Sequence, residues 1–252
     1  MRFLTNFLIV ICVLTNASPA MADKPCSATD KLCLLSELEQ LAPKIDNIAW
    51  REQTYRELAK SYTHQVKYDQ AISLVKLIKN PDTQAMTIRG IGFAAADGKW
   101  PRARYDDLFE KLMLSARNIA DPAGKEIALT YVAMAQAMAL DDAGATATAQ
   151  AMENEALKHK AFGETAEIQA ERGDVKAAFE SLSYIHNESY RNKAYQTIAK
   201  IFVTRGDITS AYQSALKVNN AYEKASILQM IINHGNPEET PVADDNEGVA
   251  QP

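Results

Sequence analysis

The 252-residue chain has only 10 glycines and 9 prolines, and runs of β-branched residues bounded by turn residues are almost absent. A sheet-rich fold is thereby excluded. Its four histidines, His64, His159, His186 and His234, have no histidine or cysteine partner at metal-ligand spacing, so no metal site is expected. No Gly-x-Ser-x-Gly string occurs and no Ser-His-Asp arrangement stands out, which leaves catalytic residues unassigned and a non-enzymatic role expected. A basic excess is also missing. The net charge is −5; without Arg2 it is −6, and residues 235–252 hold −5 of that. The body between is near −1, far from the positive footprint that nucleic acid demands.

One apolar run exists, Phe3 to Leu14. About a dozen residues suit a secretory signal core and are too few to cross a bilayer. Arg2 supplies the positive start, and Ala20-Met21-Ala22 supplies the small-x-small cleavage pattern. Residues 1–22 therefore read as a signal peptide, and the product is expected to be periplasmic or secreted, with no membrane span. Cys12 leaves with the signal, so Cys26 and Cys33 remain. In an oxidising compartment an even pair is most simply a disulfide. It would close a loop of about eight residues, contribute about 2.5 kcal/mol in the chain-entropy model, and pin the mature N-terminus onto the first helix, within an N-terminal segment at 23–49. Residues 235–252 carry Glu238, Glu239, Asp244, Asp245 and Glu247 without a single Lys or Arg, and read as a disordered acidic tail.

What the chain has in abundance is Ala, Gln, Glu, Lys and Leu, which lose little rotamer freedom in a helix. With 47% hydrophobic residues, a sizeable helical core is expected. The helices repeat. Lys160-Ala161-Phe162-Gly163-Glu164-Thr165-Ala166 returns as Lys193-Ala194-Tyr195-Gln196-Thr197-Ile198-Ala199, an offset of 33. Arg172-Gly173-Asp174, Ala178 and Asn187 return at the same offset as Arg205-Gly206-Asp207, Ala211 and Asn220. Small or medium residues Ala59, Gly90, Ala133, Ala166, Ala199 and Met230 anchor successive copies, separated by 31, 43, 33, 33 and 31. The longer interval places an insertion within Arg104 to Ala120. In each Gly-Asp pair, Gly would end one helix and Asp would cap the next. An Ala twelve residues past the anchor would let the two helices of a pair cross closely, and pairs must stack to bury their apolar faces.

A small residue on the first helix, an aromatic residue three on and an Ala twelve on make residues 50–234 resemble the tetratricopeptide repeat family. Tyr62, Phe93 and Phe202 fill the aromatic position; Gln136 and Gln169 depart from it, and the family's terminal Pro is missing. The resemblance implies an all-α fold, a right-handed α-solenoid of antiparallel helix pairs forming a superhelix. It also implies a groove lined by the first helix of each pair. Carried over at −3, +1 and +4 from the anchors, the groove residues include Arg56, Lys60 and Thr63, Thr87 and Ile91, Thr130 and Met134, and Gln196 and Lys200. That stripe is basic at both ends and apolar in the middle, fit for a peptide with acidic ends. The family's carboxylate clamp needs groove asparagines, which these positions lack.

The expected function is thus an exported scaffold that binds a protein or peptide partner and needs no cofactor. The alternatives are a structural homo-oligomer subunit of an envelope complex, whose last half-copy packs on a neighbour, and an envelope enzyme subunit. Gly90-Ile91-Gly92-Phe93-Ala94-Ala95 matches a dinucleotide-type string but falls inside a predicted helix with no strand before it, so nucleotide binding is not expected. Asp121 followed by Pro122 reads as a helix cap rather than a phosphate loop.

Overall fold

The computed structural model describes residues 25–236. The signal segment at 1–22 and nearly all of the 235–252 tail lie outside the described residues. Within them the chain is all-helical, with twelve α-helices and no strand. In order these are α1 (Lys31–Leu41), α2 (Ile48–His64), α3 (Tyr68–Val75), α4 (Pro81–Ala96), α5 (Arg102–Arg117), α6 (Pro122–Met138), α7 (Asp142–Gln150), α8 (Glu155–Glu171), α9 (Val175–Ser183), α10 (Glu188–Thr204), α11 (Ile208–Lys217) and α12 (Ala221–Ile232). From α2 onward the even helices are the longer ones, α5 excepted. Each packs on the long helix before and after it and on the odd-numbered helix that follows it, so one continuous core runs through the row. The Cys26–Cys33 disulfide forms, with 5.6 Å between the Cα atoms. It ties the segment before α1 to that helix, and the Tyr62 hydroxyl of α2 donates to Glu39 of α1 at 2.6 Å.

Every long helix begins on a side chain that accepts the amide three residues on. Asn47, Asn80, Asp121, Asn154, Asn187 and Asn220 accept from Trp50, Thr83, Gly124, Leu157, Tyr190 and Glu223. Each such cap contributes about 1 kcal/mol. The recurring asparagines therefore each open a long helix. Caps Asn47 to Asn220 are spaced 33, 41, 33, 33 and 33, and the eight extra residues go into α5, 16 residues long against 8 to 10 for the other short helices.

This register corrects two anchors. Twelve residues past the caps lie Ala59, Gly92, Ala133, Ala166, Ala199 and Ile232. Gly92, not Gly90, is the crossing point of α4: a Cβ there would lie 2.6 Å from the Ala135 Cβ of α6, whereas one on Gly90 would meet nothing closer than the Lys60 Cβ at 3.9 Å. The aromatic position of α4 falls to Ala95, and Phe93 turns outward. In α12 the position belongs to Ile232 rather than Met230. Ala59 and Ala71, Ala133 and Ala145, Ala166 and Ala178, and Ala199 and Ala211 are all fully buried.

Two buried polar devices were not foreseen. Gln136 and Gln169, which break the aromatic pattern, accept hydroxyl hydrogen bonds from Thr148 and Ser181, twelve residues on, at 2.7 and 2.8 Å. Glu52 and Glu126, both about 4% exposed, accept backbone amides of the loop that leads into the next long helix, Lys79 and Asn80 in one case, Glu153 and Asn154 in the other. A buried carboxylate is tolerable only with such donors.

The short helices α7, α9 and α11 start on Asp141, Asp174 and Asp207, which accept the Gly144, Ala177 and Ser210 amides. Before the latter two, Gly173 and Gly206 take φ of 87° and 78°, but Leu140 stands in the same left-handed place at 63°. Leu140 is 69% exposed, so little packing depends on it. Leu140→Gly removes about 1–2 kcal/mol of left-handed strain and returns about half of that through glycine's unfolded-state freedom. A net stabilisation of about 0.5–1 kcal/mol in urea unfolding is expected. Gly92→Ala should cost about 1–3 kcal/mol by overpacking α4 on α6, while Gly90→Ala should be neutral or stabilising by up to about 1 kcal/mol. The same unfolding measurement separates the two.

Candidate peptide-binding face

The residues expected in the groove do not share one environment. Thr63, Thr87, Ile91 and Thr130 are at most 1% exposed and lie inside the packing of the row. The three threonines satisfy their hydroxyls on the carbonyl one turn back, those of Ala59, Thr83 and Glu126, which is how a polar side chain survives there. Thr87 and Ile91 were drawn in by the two-residue shift of the α4 anchor. Thr63 and Thr130 are excluded for another reason: at their places the long helices lie against their neighbours. Arg56, Met134 and Gln196 are half-buried, and Lys60 and Lys200 are exposed.

A partly accessible stripe of the long helices passes through Arg56 and Lys60 on α2, Arg89 and Phe93 on α4, and Tyr131 and Met134 on α6, of which Lys60 is exposed and the rest half-buried. Between α2 and α4 it includes a groove of about 340 Å³, lined by Arg56, Glu57, Lys60, His64, Arg89, Phe93 and Asp97 among others. The Arg89 guanidinium lies 4.6 Å from the centre of the Phe93 ring and 5.5 Å from that of Tyr131. Neither Arg89 nor Lys60 is in an ion pair among the described residues, and Arg56 reaches only the neighbouring Glu57, at 3.8 Å. Two aromatic faces thus hold a cation whose remaining donors are free, a geometry that stabilises the guanidinium by about 0.5–2 kcal/mol and presents it to an acceptor. Arg89, Phe93 and Tyr131 escaped sequence reading because the shifted anchor assigned Phe93 to the core; the cap at Asn80 held the correct register.

Farther along the row the stripe changes sign. On α8, Glu164, Glu167 and Glu171 fall at helical spacing on one side. Lys160 engages Glu164 at 2.8 Å. Burial, then the charges of Glu164 and Glu171, raise the Glu167 carboxyl from 4.5 to about 7, opposed in part by Lys160. The Tyr190 hydroxyl, reached from α10, is raised chiefly by burial. Lys193 and Lys200 then return the stripe to positive charge on α10. The face is therefore basic and aromatic at α2 to α6, acidic at α8 and basic at α10, rather than apolar through its centre.

Among the described residues no group of three or more His, Cys, Asp and Glu is placed to hold a metal ion. His159, on the second turn of α8, is 8% exposed with its Nε2 unpartnered. Its nearest carboxylate oxygen, on Glu155, is 3.8 Å away. No protein-family model matches the chain, and no curated protein matches it.

Because the folded state raises the Glu167 carboxyl, its contribution to stability is complete below the ordinary carboxylate range and is lost as pH rises through about 7. Glu167→Gln should match the parent in urea unfolding at acid pH and exceed it well above pH 7. The carboxyl remains partly solvated, so the gain should be smaller than its shift alone implies.

Proposed function

We propose that the chain is an exported protein-interaction scaffold whose basic, aromatic face at α2, α4 and α6 binds an acidic segment of a partner protein. The observation that carries the reading is the Arg89 guanidinium held between Phe93 and Tyr131 beside Lys60 and Arg56. Free cationic donors over aromatic faces match a peptide that alternates carboxylates with large apolar side chains. The preferred architecture is a tetratricopeptide-like, right-handed stack of antiparallel helix pairs. The recurrence of caps and crossing residues supports it. Such a stack presents one face of its long helices as an extended groove. Export is supported by the apolar leader with its small-x-small site and by the Cys26–Cys33 disulfide. No described helix is long and apolar enough to cross a membrane. Binding is favoured over catalysis because the groove is dominated by Arg56, Lys60, Arg89 and Phe93, and its His64, Glu57 and Asp97 form no hydrogen bond with one another among the described residues.

The probe is a fluorescein-labelled peptide of mixed Glu and Phe, with a Lys and Phe peptide as comparison, read by fluorescence anisotropy. The acidic peptide is expected to bind with an affinity that falls as salt rises. Arg56→Glu, Lys60→Glu and Arg89→Glu combined are expected to weaken it by at least about tenfold, corresponding to about 1.4 kcal/mol, without changing the helical circular dichroism. Equal binding of the two peptides, or of parent and triple variant, overturns the reading.

A further inference from the structure

Three glycines lie in the middle of long helices: Gly90 and Gly92 on α4, and Gly163 on α8. Glycine weakens a helix interior, since it has more conformational freedom to lose than alanine and no side chain to pack. Two of the three have a reason in the packing. A Cβ on Gly92 would lie 2.6 Å from the Ala135 Cβ, and the Tyr190 ring covers Gly163, 3.6 Å from where a Cβ would stand. Nothing among the described residues gives Gly90 such a reason. A Cβ there would meet only the Lys60 Cβ, at an ordinary contact distance of 3.9 Å. Nor does the register call for a small residue. Two places before the crossing residue the other long helices carry Glu57, Tyr131, Glu164, Thr197 and Met230. Only α4 leaves that place bare, and it does so in the groove between α2 and α4.

We infer that Gly90 determines the specificity of this groove, by admitting an aromatic side chain of the acidic partner segment onto the bare backbone of α4 between Lys60 and Phe93. The occupant follows from the lining. The bare Gly90 lies beside buried Ala94; Met86 and Phe93 are apolar and half-buried; Arg56, Lys60 and Arg89 supply the cations. Glu57, His64 and Asp97 complete the lining as exposed side chains. A carboxylate alone would answer the cations and leave the apolar part uncovered. An aliphatic side chain would do the reverse. An aromatic ring answers both, because it is apolar, flat enough to lie against a helix without a side chain in the way, and attracts cations to its faces. Carboxylates on neighbouring residues of the same segment then reach Arg56, Lys60 and the free donors of Arg89. Any larger residue at position 90 would occupy the space that the ring needs. The inference rests on this face being the one that binds an acidic segment, and adds the class of side chain it recognises and the residue that makes room for it.

The test uses two fluorescein-labelled peptides of equal length and charge, one of mixed Glu and Phe and one of mixed Glu and Ala, titrated with the full chain by fluorescence anisotropy. The parent should bind the Glu and Phe peptide at least about tenfold more tightly, as expected for burying a ring. Gly90→Leu should reduce that peptide to the affinity of the Glu and Ala peptide, and should change the latter by no more than about twofold. Gly90→Ala should melt at or above the parent temperature, since the fold gains nothing from the glycine. In isotope-edited spectra of the parent complex, the peptide ring protons should show Overhauser contacts to the Gly90 Hα protons. Equal binding of the two peptides by the parent overturns the inference and leaves the acidic-segment reading standing; no binding of either overturns both. A Gly90→Leu variant that keeps the preference overturns the inference alone. So do ring contacts that bypass Gly90, and so does a Gly90→Ala variant that melts lower than the parent.

Discussion

The close approach of successive long helices at one small residue is the constraint on which the rest of the structure depends. At Gly92 the α4 backbone comes so near α6 that a single added carbon would lie 2.6 Å from the Ala135 Cβ. Comparable positions hold Ala59, Ala133, Ala166 and Ala199, each with no accessible surface. A helix pressed this closely cannot turn about its axis, because the ridges of one helix must fit the grooves of the other. Its rotation then decides which residues are core and which reach solvent. That is why a two-residue shift in one anchor moves Phe93 from the interior to the half-buried margin beside Arg89 and moves Thr87 and Ile91 inward.

Close packing also dictates where polar groups are allowed. An apolar layer between pairs would leave the loop amides entering α4 and α8 without acceptors, and Glu52 and Glu126 supply them from inside the core. Gln136 and Gln169 are stable for a related reason: each has its carbonyl answered by a hydroxyl on the neighbouring short helix. Asn192 occupies the place of those glutamates on α10, and its Oδ1 has no partner among the described residues. The row is thus most completely satisfied at α2 and α6 and less so towards its C-terminal end, where α12 leaves an apolar face open.

Much of the fold was legible because its signals are local. Gly173 and Gly206 supply the left-handed residue that a helix end needs, and Asp174 and Asp207 supply the oxygen that starts the next helix. Cys26 and Cys33 lie within one turn and a loop of each other. The face was only half legible. Arg56, Lys60 and Lys200 keep the accessible or half-buried places expected for them, because their positions relative to Ala59 and Ala199 are fixed by helix geometry alone. The Arg89, Phe93 and Tyr131 cluster was not legible, since it joins residues 42 apart across two helices, and the interval between those helices is stretched by the long α5. The raised Glu167 carboxyl escaped for the same reason, because burial, its first cause, belongs to the packed row and not to the helix alone.

By itself the amino-acid sequence determined an all-helical chain, the period of its repeat, the aspartates that start the short helices after Gly173 and Gly206, and the cysteines that pair. Those outcomes depend on side chains acting on backbone groups three or four residues away, and on the fixed rise and turn of a helix. Only tertiary structure decided the rotation of each helix in the row, and with it the burial of Thr63, Thr87, Ile91 and Thr130, the stacking of Arg89 on two rings, and the exposure of Ile232. Rotation is set by contact between helices, and a shift of two residues turns a helix by more than half a revolution. A repeat read without its contacts carries the period but not the phase.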